Sequence, residues 1–321
     1  MSQQNRFELP PSLTNADDEE RSVGVEIEFG GLGAEPAAQL VQKVLGGTLL
    51  KHNPNAFDVE GTALGDFAVR LDTRFAGYDE NSGGFLDEVK AELRNLFGAA
   101  ASLVVPFEIE APPVAIHQLP EIEHLMDELR DAGASGTGAS PFFAFGLHLN
   151  PETPSLDSRT ITAIVKAYAM ASPWLWRAID PDTTRRLLNF AEPFPDEYVR
   201  LLASDTYWPD ESALIDDYVA LNPTRNRDLD MLPLLAFLDE KRVREKLPEE
   251  KINPRPTFHY RLPDMKLGDP DWSLAVEWNR WVAVERLAAD DKRMAAVCRA
   301  YLDHQGGRDA WAARAEDLEV V

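Results

Sequence analysis

Four short segments of this chain set ionisable side chains between apolar ones at alternate positions, and together they hold the residue types of a divalent-cation site. In Val23-Gly24-Val25-Glu26-Ile27-Glu28-Phe29, the two glutamates share one face of an extended chain and lie ~7 Å apart along it. Glu108 and Glu110 alternate with Phe107 and Ile109 in the same way. His148 falls opposite Leu147 and Leu149; His259 and Arg261 fall opposite Phe258 and Tyr260. If these segments are neighbouring strands, carboxylates, imidazoles and a guanidinium converge on one polar surface. Oxygen-rich ligands with some imidazole suit Mg²⁺ or Mn²⁺ better than structural zinc. The same alternation is also the routine mark of a half-exposed antiparallel sheet whose polar side chains are merely solvated. Periodicity leaves both readings open.

Other segments carry less. Gly133–Gly138 lacks the Gly-Lys-Ser/Thr ending of a phosphate loop and reads as a connector. Lys241-Arg242-Val243-Arg244 is flanked by Asp239, Glu240 and Glu245, the pattern of a solvated helix face. Arg225 and Arg227 follow Pro223 and could meet a substrate carboxylate or phosphate, or else cap a helix with Asp228 and Asp230. Trp278 and Trp281, three apart, have a packing spacing. The lone cysteine, Cys298, permits no internal disulfide and no cysteine-rich zinc site, and reads as buried.

Thirty-two basic residues against fifty-five acidic ones give a net charge of −23. Such a surface repels phosphate backbones and anionic membranes, so neither a nucleic acid nor a membrane is expected as a partner. An anionic substrate would need metal ions or a local arginine cluster. No apolar run reaches the ~20 residues of a membrane span, and Met1–Asn5 opens no signal-peptide pattern. The expected location is the cytoplasm.

The elements that must position these groups follow from periodicity. Strands are expected at 22–29, 48–52, 66–72, 103–110, 142–149 and 256–262. Helices are expected at 35–45, 85–97, 120–131 and, as one long helix, 272–304, with a loop at 77–84. Residues 1–20 read as a flexible lead-in, and 21–321 as one domain with a helical insertion at about 157–245. Prolines 173, 181, 193, 195, 209 and 223 break up that insertion. The order is neither a regular βαβ alternation nor a helical bundle. It predicts an α+β fold, an antiparallel or mixed sheet with helices on its apolar face.

The opening strand 23–29 resembles that of the amidoligase family, a branch of the glutamine-synthetase-like carboxylate–amine ligases related to glutamate–cysteine ligases. Four further pieces are similar to the family's motifs and run in its order. They are Glu108-Ile109-Glu110-Ala111-Pro112-Pro113, Gly146-Leu147-His148-Leu149-Asn150, Tyr218-Val219-Ala220-Leu221-Asn222 and Thr257-Phe258-His259-Tyr260-Arg261. The resemblance implies a curved, mostly antiparallel sheet with helices on its convex face and divalent metals on its concave one. It implies an ATP-dependent ligase acting through an acyl phosphate, on a small molecule or peptide bearing carboxylate and amine groups. Partner amidotransferases or peptidases are implied at family level only. Carried over by position, Glu26, Glu28, Glu108, His148 and His259 would hold Mg²⁺ or Mn²⁺. Arg261, with Glu28, would be catalytic, and Arg261 and Arg225 would contact the nucleotide. The chain departs from the pattern at Asn150, where the family has histidine, and at His259, where it has glutamate. Asp72 occupies the place of an Asp-Gly-Ser that is absent here. A catalytically silent peptide- or protein-binding homologue and a metal-dependent hydrolase are the competing classes.

Overall fold

The computed structural model describes residues 6–71, 106–137, 145–182, 186 and 191–317. Asp72, the loop 77–84 and the helix 85–97 fall outside the described residues.

Nine strands form one open sheet in the order β2-β3-β4-β5-β1-β7-β9-β8, with β6 on β1. They are β1 (Ser22–Phe29), β2 (Thr48–Asn53), β3 (Ala56–Thr62), β4 (Gly65–Leu71), β5 (Phe107–Glu110), β6 (Val114–Ala115), β7 (Leu147–Pro151), β8 (Leu229–Asp230) and β9 (His259–Tyr260). Every pairing between these strands is antiparallel. The fold is α+β, as the element order implies.

Strand β1 sits in the middle because one of its faces is wholly apolar. Val23, Val25, Ile27 and Phe29 are fully buried, and the β-branched residues among them favour the pleat. Helix α1 (Ala34–Leu45) packs on β3 and β4 over this apolar side, where its Glu35 pairs with Lys51 of β2. Helix α2 (Leu119–Asp131) contacts α1. The long α3 (Ser158–Ile179) crosses behind β9, Tyr168 meeting Tyr260 edge to face at 5.8 Å. Pro173 lies inside α3 without ending it, contrary to the break expected there.

Four shorter helices follow: α4 (Asp196–Ala203), α5 (Glu211–Leu221), α6 (Leu232–Leu238) and α7 (Glu240–Lys246). The basic run 241–244 is paired along its own solvated face, Lys241 with Glu245 and Arg244 with Glu240. The expected single helix 272–304 is two, α8 (Leu274–Ala288) and α9 (Asp291–Leu302). The break has a local cause: the Asp290 carboxylate accepts from the N–H groups of Lys292 and Arg293, capping a new helix. Trp278 and Trp281 of α8 are fully buried, and Trp281 packs on Phe258 and Tyr260. A last helix, α10 (Arg308–Asp317), contacts α3.

Residues 6–9 run along α8, and farther on Asn15 bonds Glu152 and Glu20 bonds His117. The Glu8 carbonyl accepts from Trp278 Nε1 at 2.8 Å, and Phe7 packs on the core. Next to them Arg21, fully buried, donates to both Glu285 oxygens at 2.6 and 2.8 Å.

Candidate metal centre

The face of β1 opposite the core carries the chemistry. In register, Glu28 stands across from Glu108, and Glu26 lies between Glu110 on β5 and His148 on β7. Like charges placed directly across a strand pair repel, and here Glu28 and Glu108 are 1% and 8% exposed. Two buried carboxylates side by side call for positive charge nearby.

His148 is the hinge of the arrangement. Its Nδ1 donates to Glu26 Oε2 at 2.8 Å, which fixes the tautomer and leaves Nε2 as a lone pair. That Nε2 is buried with no hydrogen-bond partner among the described residues, 3.6 Å from Glu28 Oε1. Burial pushes the His148 pKa down to about 4, the Glu26 hydrogen bond opposing it, so the ring is neutral at pH 7. A bare lone pair beside a carboxylate is repulsive; a divalent cation between them turns the same geometry into ligation. Ligand atoms of Glu28, Glu108 and His148 all lie within 4.8 Å of one another.

A second group repeats the design. His259 Nδ1 donates to Asp230 Oδ2 at 3.3 Å, and its Nε2 is also buried and, among the described residues, unpartnered, 3.8 Å from Glu26 Oε2. Glu26, His148 and His259 have ligand atoms within 4.8 Å. The two imidazoles meet edge to face, ring centres 5.3 Å apart. Burial alone would raise the Glu26 carboxyl, but His148 and His259 hold it well below the usual carboxylate range. Burial likewise opposes ionisation of Asp230, yet His259, Arg225 and Arg261 bring its pKa down. Both carboxylates are therefore anions at neutral pH.

The family model described as putative amidoligase enzyme matches residues 19–283, most of the 321-residue chain. The chain belongs to the amidoligase family. No curated protein matches it. The matched span contains all five expected cation ligands and both arginines, and it ends within α8.

Within this amidoligase-family chain, the expected site residues come together. Arg225 Nε lies 3.4 Å from Asp230 Oδ2, and Arg261 donates to the Arg225 carbonyl. Arg227 instead pairs with Glu192, and Asp228 accepts from Ser172 and Trp176. The family motif around Tyr218 is structural: its hydroxyl accepts from Met231 N and so helps set β8, which carries Asp230.

Asn150, which stands where the family has histidine, takes a bracing role, and two further contributors, Arg255 and Asp230, are ones the sequence does not assign to the site. Asn150 donates Nδ2 to Glu26 Oε1 at 2.9 Å, and its Oδ1 accepts from Arg255 at 2.7 Å, so it braces a carboxylate. Gly24 makes room for it, since a Cβ there would lie 3.3 Å from Asn150 Cβ. Arg255 was legible in part: 255, 257, 259 and 261 continue one alternation. Asp230 was weighed only as a capping group, because β8 is two residues long and shows no periodicity.

Proposed function

We propose that this protein is an ATP-dependent carboxylate–amine ligase working through an acyl phosphate, with divalent cations on the polar sheet face. Family membership supports ligation. The observation that carries the finer reading is the pair of buried, unpartnered Nε2 atoms of His148 and His259, each facing a carboxylate. Glu28, Glu108 and His148 would hold one cation; Glu26 and His259 would hold another, with Asp230 orienting the ring. Imidazole in this set favours Mn²⁺ over Mg²⁺. When bound, such cations neutralise phosphate charge in a chain of net charge −23.

Joining a carboxylate to an amine needs a leaving group, and transfer of the ATP γ-phosphoryl to the carboxylate supplies one. Arg261 and Arg225 are the cations suited to steady transferring phosphoryl oxygens, since a guanidinium matches them with two donors. Glu28 is held by the Gly146 N–H at 2.7 Å and is 1% exposed, so its part is to fix charge in the site. Glu110 is the better candidate to take the amine's proton. Burial, then the charge of Glu26, raises its pKa, and its side chain faces outward.

Phosphate release from ATP, screened over amino acids, short peptides and polyamines, tests the reading. Release that requires both an acid and an amine is expected, and it should vanish in His148→Ala. No release with any pair, together with tight binding of a peptide, would instead make the protein a silent binding module.

A further inference from the structure

Helices α9 and α10 lie beyond the span that the family model matches, and where they pack on α3 and α4 they help enclose a cavity of about 90 Å³. Phe194, Tyr301 and Trp311 give it aromatic walls. Arg200 and Arg308 also line it, against one acid, Asp196. Among the described residues, neither arginine has a carboxylate within ion-pair distance, whereas Arg21, Arg227, Arg242, Arg280 and Arg286 all do. Arg308 instead donates to Ser172 Oγ at 2.9 Å. His304 joins them: its Nε2 is buried with no hydrogen-bond partner among the described residues, and its ring stands edge-on to Trp311, centres 5.6 Å apart.

In a chain of net charge −23, the cavity keeps two guanidinium groups with no carboxylate at ion-pair distance among the described residues. Arg308 reaches the buried Asp228 only through Ser172, and the imidazole nitrogen beside them lacks a hydrogen bond there. We propose that this cavity binds a small carboxylate anion. Its oxygens would take hydrogen bonds from Arg200, Arg308 and His304, while its carbon stem packs on the aromatic walls. Guanidinium groups match carboxylate geometry, and the aromatic walls offer a surface for a short carbon body. The volume has room for several waters, hence for a short-chain acid. The site is linked to the polar sheet face, since Ser172 Oγ also donates to Asp228 Oδ2 and the Asp228 carbonyl accepts from Arg261 N. It does not depend on the ligase reading.

Thermal unfolding of the full chain, titrated with sodium propionate against sodium chloride at equal ionic strength, decides the matter. A saturable rise in Tm over the chloride control is expected. Arg200→Gln and Arg308→Gln should each weaken it by about tenfold or more, as loss of a charged hydrogen bond does. Arg200 is exposed, so its variant tests binding without endangering the fold. No saturable shift, or a shift equally strong in both variants, overturns the proposal; the second result would place propionate elsewhere. Inorganic phosphate binding more tightly than propionate would overturn the carboxylate assignment.

Discussion

His148 turns one ring nitrogen to each of two glutamates on a single strand: Nδ1 lies 2.8 Å from Glu26 Oε2, and Nε2 lies 3.6 Å from Glu28 Oε1. The relationship follows from β geometry, because residues two apart on β1 share a face at ~7 Å, a span one imidazole can bridge. It gives the two glutamates different work. Glu26 orients the ring, and Glu28 faces its lone pair.

The neutral state of His148 has a consequence for stability. Its pKa is about 4 in the fold, against ~6.5 when unfolded, so between those values the unfolded chain binds more protons. Stability should therefore fall as pH drops from ~6.5 to 4, by about 3 kcal/mol in total from this group. Glu26, whose pKa is held low, adds a loss of the same sign at more acid pH. Denaturant unfolding in metal-free buffer from pH 7 to 4.5 reads the slope, and His148→Gln should flatten it. An unaltered slope would place the titration elsewhere.

Metal preference should rest on His259. Replacing imidazole by carboxylate in His259→Glu should move selectivity from Mn²⁺ toward Mg²⁺, because Mg²⁺ prefers oxygen ligands. Calorimetric titration of both ions into wild type and variant checks it. An unchanged Mn²⁺/Mg²⁺ ratio would leave His259 with a structural role, bonded to Asp230.

Asn150→Ala should weaken Mn²⁺ binding while sparing the fold. The substitution removes a donor from Glu26 and the acceptor of Arg255, and loss of such outer partners costs roughly 10- to 100-fold in metal affinity. Calorimetry and a thermal melt on the same sample separate the two effects. A large drop in Tm with unchanged affinity would contradict the bracing role.

The buried pair Arg21–Glu285 ties the segment before β1 to α8. Arg21→Met leaves the Glu285 carboxylate buried beside Trp281 and should cost about 3–5 kcal/mol. Arg21→Met combined with Glu285→Leu should recover much of that loss in urea unfolding. A double variant as unstable as the single one would show that packing, and not the orphaned charge, dominates.

The polar sheet face was legible because strand alternation sorts side chains onto two faces, and Glu26, Glu28, Glu108, His148 and His259 all obey it. What escaped lay where that signal is short or interrupted. β3 has only Phe57 and Val59 at alternate positions between two turns, and it went unseen. The expected strand 256–262 forms a ladder only at His259–Tyr260, with one further bridge from Thr257 to Glu152, and Pro256 removes an N–H near its start. Asp230 reaches the site through tertiary contacts that no local period encodes, whereas Asn150, two after His148 on β7, shares its face. The division between α8 and α9 is written in the sequence as Asp290, a cap inside what otherwise reads as one continuous helix.

The central claim is that Glu28, Glu108 and His148 hold a divalent cation that ATP requires. Calorimetric titration of Mn²⁺ into metal-free protein in the presence of ATP, for wild type and for Glu28→Gln/Glu108→Gln, tests it most directly. The account predicts saturable Mn²⁺ binding beyond that of ATP alone in wild type, and a loss of roughly 100-fold or more in the double variant, since two anionic ligands are gone. Equal Mn²⁺ binding by the two proteins would contradict it.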